Sequence, residues 1–550
     1  HGGEYRFPAG DRQVAVERTR HGNVVVARRV PGPVLDGHSW SAGGALTLRG
    51  DYPASQGQDL EAVLTRSGST ETHVLPVRRD GDRFELVIAA AAMPSFGRLL
   101  PLRDGSWQLR LRPAGSGPGA AELTPRYDHA LLAAVRDDKL QAGQKVYRFT
   151  TKDYDIPLLA VGPALRLAEH ARIGRKVLRQ AYYPVQQRRQ VRDSVLFVSF
   201  KGRQASDNPL GIAAELRRRG DDREQIWAVT DYSVPVPEGA TAVLLGTEGY
   251  WDALARSKYL ISNDDMPSGY AKRPGQVYVQ TWHGTPLKRI GFDVTDLQSV
   301  SGDSYLDYLG RDIAKWDLLL SPNPFSTPIL RDAFRFGGEI CESGYPRNDV
   351  LAAGDPDALA AEVRQRIGLP AGKRVVLYAP TWRDNQYYAS GRYRFDSRLD
   401  LDKAWQELGD DYVVLIRGHH QMADDVPAGR PGFVLDVTGY PDVAELFGVS
   451  DALITDYSSM MCDFAVTGKP MLFYTYDLAD YRDNLRGFYL DFEAEVPGPL
   501  LGTSDEVIAA VAGLDAVAAR YQARYRAFAA KFCPLDDGKA GARACDRIFG

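Results

Sequence analysis

The stretch Ser194-Val195-Leu196-Phe197-Val198-Ser199-Phe200-Lys201-Gly202, followed by a helical run over residues 210–219 and by Ile226-Trp227-Ala228-Val229, decides the fold. An unbroken apolar run ending in a glycine-containing loop, then a helix, then a second apolar run, is the signature of a parallel strand buried on both faces. The alternation continues through Tyr259-Leu260-Ile261, Val277-Tyr278-Val279 and Leu318-Leu319-Leu320. It restarts after Gly344 with Val375-Val376-Leu377-Tyr378, Tyr412-Val413-Val414-Leu415-Ile416, Ala452-Leu453-Ile454 and Met471-Leu472-Phe473-Tyr474. Two such series in one chain imply an α/β protein with two facing, Rossmann-like, doubly wound domains, over residues 194–340 and 341–550. Ligands of such sheets lie beyond the strand carboxyl ends, so the crevice between the domains is the expected site.

Upstream the pattern differs. Ala45-Leu46-Thr47-Leu48-Arg49-Gly50 alternates apolar with polar, as do residues 60–64, 84–88 and 107–111, with turns at Asp80-Gly81-Asp82 and Asp104-Gly105-Ser106. This predicts an antiparallel β-sandwich over residues 35–130, after an N-terminal segment 1–34, with a spacer or docking role. Residues 131–193 read as a basic helical linker. Arg166, Arg172, Arg175, Lys176, Arg179, Arg188, Arg189 and Arg192 face one acid, Glu169, and Leu167, Ile173, Val177 and Leu178 fall at helical spacing. Such a helix fits either an anionic membrane surface or the protein's own surface. The start, His1-Gly2-Gly3, lacks Met and a signal pattern, and a longer natural chain, even one with a second enzyme, is compatible with it.

Composition narrows the classes. The 550 residues exceed one ordinary core, and 44% hydrophobic with 25% charged residues is globular. A net charge of -4 gives no global reason to expect nucleic acid as a partner. The four cysteines, Cys341, Cys462, Cys533 and Cys545, form no CxxC pair and no zinc-ligand set, which favours a reducing compartment. No apolar run reaches the roughly 18 residues of a membrane helix.

Six segments carry chemistry. In Gln280-Thr281-Trp282-His283-Gly284-Thr285-Pro286-Leu287-Lys288, a strand end presents an imidazole beside glycine, with a cation one turn on. In Gly344-Tyr345-Pro346-Arg347-Asn348-Asp349, Arg347 suits a phosphate oxygen, and simple helix capping by Asn348 and Asp349 is the alternative. Tyr378-Ala379-Pro380-Thr381-Trp382-Arg383-Asp384 offers Arg383 as an anion ligand, or an Arg383–Asp384 pair. Arg417-Gly418-His419-His420 suits a pyrophosphate and lacks a third ligand for a metal. Thr455-Asp456-Tyr457-Ser458-Ser459 opens a helix, so its backbone N–H groups and two hydroxyls suit an anion, or Ser458 and Ser459 merely cap. Asn263-Asp264-Asp265 is a weak divalent-cation candidate, having no partner acid at useful spacing.

From about residue 194 to 540 the chain resembles the CDP-glycerol glycerophosphotransferase family, the teichoic-acid glycerol phosphate primases and polymerases. The resemblance rests on Phe200-Lys201-Gly202 with Ser206-Asp207-Asn208-Pro209, Trp282 to Lys288, Gly344 to Asp349, Ala379 to Asp384, His419, Asp456 to Ser459 with Asp463-Phe464, and Tyr476-Asp477 with Arg486-Gly487-Phe488-Tyr489, in that order. It implies a GT-B fold, metal-independent chemistry without a cofactor, CDP-glycerol as donor and a lipid-linked or polymeric glycerol phosphate as acceptor. It implies His283 as general base, and His419 with the helix terminus at Ser458 and Ser459 on the donor pyrophosphate. Arg347, Arg383, Arg417 and Asp456 complete the expected donor side. Lys201, Gly202, Ser206, Asp207, Asn208, Gly284, Thr285 and Lys288 form the expected acceptor side. The resemblance also implies a cytoplasmic protein at the inner membrane face.

The motifs do not separate CDP-glycerol from CDP-ribitol, nor primase from polymerase. A GT-B sugar transferase using another nucleotide sugar is the nearest rival, and a scaffold with a decayed cleft is a rival of another class.

Overall fold

The computed structural model describes residues 5–9, 12–18, 24–29, 31–52, 58–117, 120–128, 131, 134–135, 138–152, 156–267, 269–294, 302–381, 387–389, 392–393, 398–418, 432–478 and 487–550. The chain divides into two compact units: His1–Ala164 with Asp231–Ser233, and Leu165–Thr230 with Val234–Gly550.

In the first unit, Tyr5–Ala9, Arg12–Arg18 and Val24–Arg29 form a small antiparallel sheet. A second, ten-stranded sheet holds most of the rest. Its middle strand, Thr72–Asp80, changes partner along its length: Thr72 to Pro76 pair with the strand Leu60–Arg66, and Val77 to Asp80 with Arg83–Ile88. Alternate residues from both halves, among them Leu46, Leu48, Leu86, Ala62, Leu64, Trp107, Leu109, Tyr147 and Phe149, enter one apolar cluster. That is the period-2 pattern of a half-buried antiparallel sheet.

Here the sequence expectation needs correction. Residues 131–193 are not a helical linker throughout, because Leu140–Ala142, Lys145–Lys152 and Ile156–Pro163 are antiparallel strands that extend this sheet beside Gly105–Pro113. The alternation of buried Tyr147 and Phe149 with exposed Arg148 sets the period, and Gly143, at φ +58°, makes the turn. After those strands the chain turns helical at Leu167–His170.

The second unit contains two parallel sheets. Across the first run Thr241–Leu244, Glu224–Val229, Arg192–Val198, Ser257–Ser262, Val277–Gln280, Leu318–Ser321 and Glu339–Glu342. Across the second run Val434–Asp436, Tyr412–Ile416, Arg374–Tyr378, Ala452–Thr455, Met471–Tyr474 and Leu500–Leu501. Numbered along the chain, each has the order 3-2-1-4-5-6, the first with one strand more. In such a sheet the direction of winding reverses between strands 1 and 4, which opens a crevice at their carboxyl ends.

The lobe boundary also moves. Glu339–Glu342 completes the first sheet, so the crossing segment is Ser343 to Asn348 and not a break at 340. The last helix, Ala540–Phe549, returns to the first lobe: Ala544, Cys545 and Ile548 share a cluster with Val195, Phe197, Ile212 and Leu216. Its start lies close to the helix Asp207–Arg218, since a Cβ at Gly541 would stand 3.4 Å from the Gly211 carbonyl oxygen. Sequence grouping placed this helix with the second lobe because its apolar stripe does not reveal which sheet it will cover. The substitution Ile548→Ala should cost about 2–5 kcal/mol in denaturant unfolding of this unit, and an unchanged midpoint would show that the helix does not dock there.

Candidate active site

The crevice of the first sheet is built by loops in sparsely populated conformations. The strand Arg192–Val198 ends in a turn with φ of +46° at Phe200, +55° at Lys201 and +79° at Gly202. Asp207, at +64°, and Trp282, at +54°, are also left-handed. Non-glycine residues pay about 1–3 kcal/mol for such a conformation, which persists only where surrounding contacts over-determine it.

Those contacts are visible. The amide N–H of Phe200 donates to Asn263 Oδ1 at 2.8 Å, joining the ends of strands 1 and 4. The amide N–H of Trp282 donates to Gln280 Oε1 at 2.9 Å, and Asn208 Nδ2 donates to the Trp282 carbonyl at 3.2 Å. The Trp282 ring lies between His283 and Phe334, at centroid distances of 4.4 and 4.7 Å.

This loop carries His283 to an exposed position. Its Nδ1 lies 2.8 Å from the Asn263 carbonyl oxygen. A carbonyl only accepts, so Nδ1 carries the proton and the Nε2 lone pair of the neutral ring faces outward. Beside it, Lys201 Nζ sits 3.3 Å from Asp264 and 3.1 Å from Asp265. Burial alone would lower the Lys201 ammonium, but the two carboxylates hold it above its ordinary value.

The second lobe meets this loop directly. A Cβ on Gly284 would lie 2.7 Å from Ser459 Oγ, so the two residues are in close approach and a side chain at 284 would have to turn the serine hydroxyl aside. The Leu287 carbonyl accepts from Tyr489 N and the Gly487 carbonyl accepts from Arg289 N, both at 2.9 Å, around a bridge between Lys288 and Phe488. Thus the Trp282–Lys288 loop and the Asp456–Ser459 turn share one crevice. At the carboxyl end of the second sheet, Asp456 Oδ1 accepts from Thr381 N at 2.9 Å and Thr455 Oγ1 donates to the Ala379 carbonyl at 2.9 Å. Ser458 Oγ accepts from Met460 N at 3.4 Å. The helix that follows, Met460–Phe464, has five residues, so its dipole is smaller than a long helix would supply.

Arg347 departs from expectation. Its Nε and Nη2 donate to Asp463 Oδ1 at 3.0 and 2.9 Å, Nη2 also to Asp463 Oδ2 at 2.9 Å, and Nη1 to Asp207 Oδ2 at 2.7 Å and the His283 carbonyl at 2.9 Å. All three guanidinium nitrogens are bonded inside the protein and the side chain is buried, which sets it against a role as a donor-phosphate ligand. Burial would lower its pKa, but Asp207 and Asp463 raise it, and the group stays charged. Asp207 and Asn208 are corrected with it. The Asp207 carboxylate serves Arg347 and the Asn208 amide, and the Asn208 side chain serves the Trp282 carbonyl and Arg347 N, so neither offers a group to an acceptor.

The other expected residues fall as follows. Gly202 is buried and its carbonyl accepts from Thr230 N at 2.8 Å. Ser206 is buried and donates to Gln204 Oε1 at 2.9 Å, and Thr285 is buried beneath the His283 loop. Arg417 Nη1 donates to the carbonyls of Val437 and Tyr440 at 3.3 and 2.9 Å, and burial lowers its pKa to about 10, which leaves it cationic at neutral pH. His419, Arg383, His420 and Arg486 lie outside the described residues.

Two participants were missed in the sequence. Asn263 had been weighed only as part of a cation site, yet its carbonyl sets the His283 tautomer; among the described residues no His, Cys, Asp and Glu group suits a metal. Asp463 pairs with Arg347 from 116 residues away, and no local spacing signals that.

By fold and site this is a two-lobed α/β protein whose crevice lies at the switch points of two parallel sheets. The chain belongs to the CDP-glycerol:poly(glycerophosphate) glycerophosphotransferase family, whose sequence model matches residues 181–550. It is 40% identical over 363 residues to the teichoic acid poly(glycerol phosphate) polymerase of Bacillus subtilis (strain 168), covering 65% of this chain and 49% of that one. It is 38% identical over 367 residues to the teichoic acid glycerol-phosphate transferase of Staphylococcus aureus (strain NCTC 8325 / PS 47), covering 64% of this chain and 92% of that one. The chain therefore spans about half of the Bacillus polymerase. A solved structure of the wall teichoic acid polymerase TagF superposes with a TM-score of 0.64 at 37% identity, covering 68% of this chain and 93% of that one. A TagF variant soaked with CDPG is similar at a TM-score of 0.63.

Near the lobe junction, Asp536 Oδ1 accepts from Asn348 Nδ2 at 3.0 Å. Burial, with the Asp463 carboxylate nearby, pushes the Asp536 carboxyl up to about 7 from 3.8. The folded state thus holds a proton that the unfolded chain releases, and stability falls as pH rises between these values. Asp536→Asn, a neutral mimic that still accepts from Asn348, should melt higher than the parent, with the gap widening from about pH 5 to about pH 8. A pH-independent gap would contradict this.

Proposed function

We propose that the chain transfers glycerol phosphate from CDP-glycerol to the terminal hydroxyl of a teichoic-acid or capsule-type acceptor and releases CMP. The observation that carries the reading is His283, with Nδ1 committed to the Asn263 carbonyl and the ring exposed, in the crevice that also holds the Ser458–Ser459 turn. The family description and both relatives support glycerol phosphate over ribitol phosphate, and the TagF soak supports a CDP-activated donor. The reading takes the two 3-2-1-4-5-6 sheets as a GT-B pair and the first unit as an accessory β-sandwich.

In the transfer, the acceptor hydroxyl oxygen attacks the phosphorus that bears glycerol. Its proton passes to His283 Nε2. The bond from that phosphorus to the CMP oxygen breaks, and CMP leaves with the electron pair. Donors at Ser458, Ser459, Arg383 and His419 meet the charge that develops on CMP, with Arg417 and Asp456 supporting the loops behind them. No metal is assigned a step. Lys201, Gly284 and Lys288 face the acceptor. General-base help is worth about 10²–10⁴-fold, so His283→Ala should lower CMP release by about that factor while CDP still raises the melting temperature. Near-parental turnover in that variant overturns the assignment.

The second part of the proposal places the protein at an anionic membrane surface on the cytoplasmic face. Among the described residues no helix is long and apolar enough to cross a membrane. The segment from Leu167–His170 to Arg172–Val177 nevertheless exposes Leu167 (90%) and Ile173 (77%) among the exposed cations Arg172, Arg175, Lys176 and Arg179. Apolar side chains bordered by cations suit the headgroup boundary of an anionic bilayer. The double substitution Leu167→Ser with Ile173→Ser should weaken cosedimentation with phosphatidylglycerol vesicles several-fold. Equal binding by parent and variant counts against this surface.

A further inference from the structure

The segment Gly344 to Asp349 joins the lobes, and its side chains hold pieces from distant parts of the chain. Tyr345 Oη donates to the Gly284 carbonyl at 3.1 Å. Arg347 holds the His283 carbonyl, Asp207 and Asp463. Asn348 Nδ2 donates to Asp463 Oδ1 at 3.1 Å and to Asp536 Oδ1 at 3.0 Å. The Asp349 carboxylate accepts from Ala540 N and Gly541 N, at 2.9 and 2.7 Å, where the chain returns to the first lobe. Gly211 leaves room for the segment, since a Cβ there would lie 2.4 Å from the Pro346 carbonyl carbon.

Two consecutive peptide carbonyls, those of His283 and Gly284, are therefore bonded by side chains of this one segment. At its other side Arg347 grips Asp463, one helical turn beyond Ser459. A single planar guanidinium thus spans the distance from the peptide of the imidazole to the helix that follows the hydroxyl turn.

We infer that Arg347 is a positioning residue for the transfer: by binding the His283 carbonyl and Asp463 together, it fixes the separation between the imidazole and the Ser458–Ser459 turn. The inference rests on the function proposed above. It follows from the geometry of the fork. Five N–H groups in one plane reach three partners in different directions, whereas the single ammonium of a lysine cannot span the same acceptors. Arg347 touches the His283 carbonyl and not its ring, whose Nδ1 is held separately by the Asn263 carbonyl, so loss of Arg347 should disturb where the base stands rather than which tautomer it adopts.

The test is steady-state CMP release from CDP-glycerol with a lipid-linked glycerol phosphate acceptor, for the parent, Arg347→Lys and Asp463→Asn. Misplacement of a catalytic group by about 1 Å costs about 100-fold. Arg347→Lys should therefore lose about 100-fold in kcat, with KM for CDP-glycerol within about threefold, an unchanged thermal shift by CDP, and an unchanged acidic limb of the pH–rate profile, the limb on which a general base reports. Asp463→Asn loosens only the second-lobe end of the clamp and should lower kcat in the same sense by a smaller factor. If Arg347→Lys does not fold, Asp463→Asn decides by the same criteria. A variant that turns over like the parent overturns the inference, and so does one that raises KM at constant kcat, since that marks a donor ligand. A parent that releases no CMP overturns the functional reading and this inference with it; the other two results overturn the inference alone.

Discussion

A buried guanidinium shared by two carboxylates holds the two-sheet unit together at its centre. Removing the Arg347 charge from water is expensive, and attraction to Asp207 and Asp463 offsets that cost, with each guanidinium nitrogen bonded to an acceptor. Loss of Arg347 would leave the Asp207 and Asp463 carboxylates buried without their cation, which is more costly than the absence of all three. The arrangement also explains why Asp207 accepts a left-handed backbone at φ +64°. That conformation turns its carboxylate toward Arg347, and its other oxygen accepts from the next amide at 2.7 Å.

The strained positions of the first lobe share a physical origin. Phe200, Lys201, Asp207 and Trp282 all lie in loops that follow parallel strands or open the next helix. Loops that must turn sharply within a crevice have few acceptable conformations, and the lattice of Asn263, Gln280 and Asn208 bonds selects one. The His283 ring is oriented by a peptide carbonyl rather than by a carboxylate. A carbonyl fixes the tautomer without adding a negative charge near a ligand that is itself anionic.

The family likeness begins at residue 181 and leaves nearly all of the first unit outside it. That unit has its own apolar cluster and its own antiparallel register. In the second unit the repeated 3-2-1-4-5-6 order places each set of loops at a carboxyl edge, and the two edges meet at Gly284 and Ser459.

Much of this was legible in the sequence. Apolar runs such as those at 195–198 and 412–416, alternating with helical stretches, read as parallel strands covered on both faces. His283, at the end of such a run and beside a glycine, was legible for the same reason. The strands at 140–163 were missed because the neighbouring basic residues dominated the reading, although Tyr147 and Phe149 alternate correctly with Arg148. What only the tertiary structure decided is which polar groups face a ligand and which face one another. Arg347 was expected on a phosphate because of its charge, and Asp207 and Asn208 on the acceptor side because of the family resemblance. Their partners from other segments lie 64 to 140 residues away in the chain, and a hydrogen bond between distant segments leaves no trace in local spacing. Periodicity reports how each segment meets the core, and so the strands and their order of appearance could be read directly. Pairing between buried polar groups depends on how the lobes close, and only the folded chain contains that information.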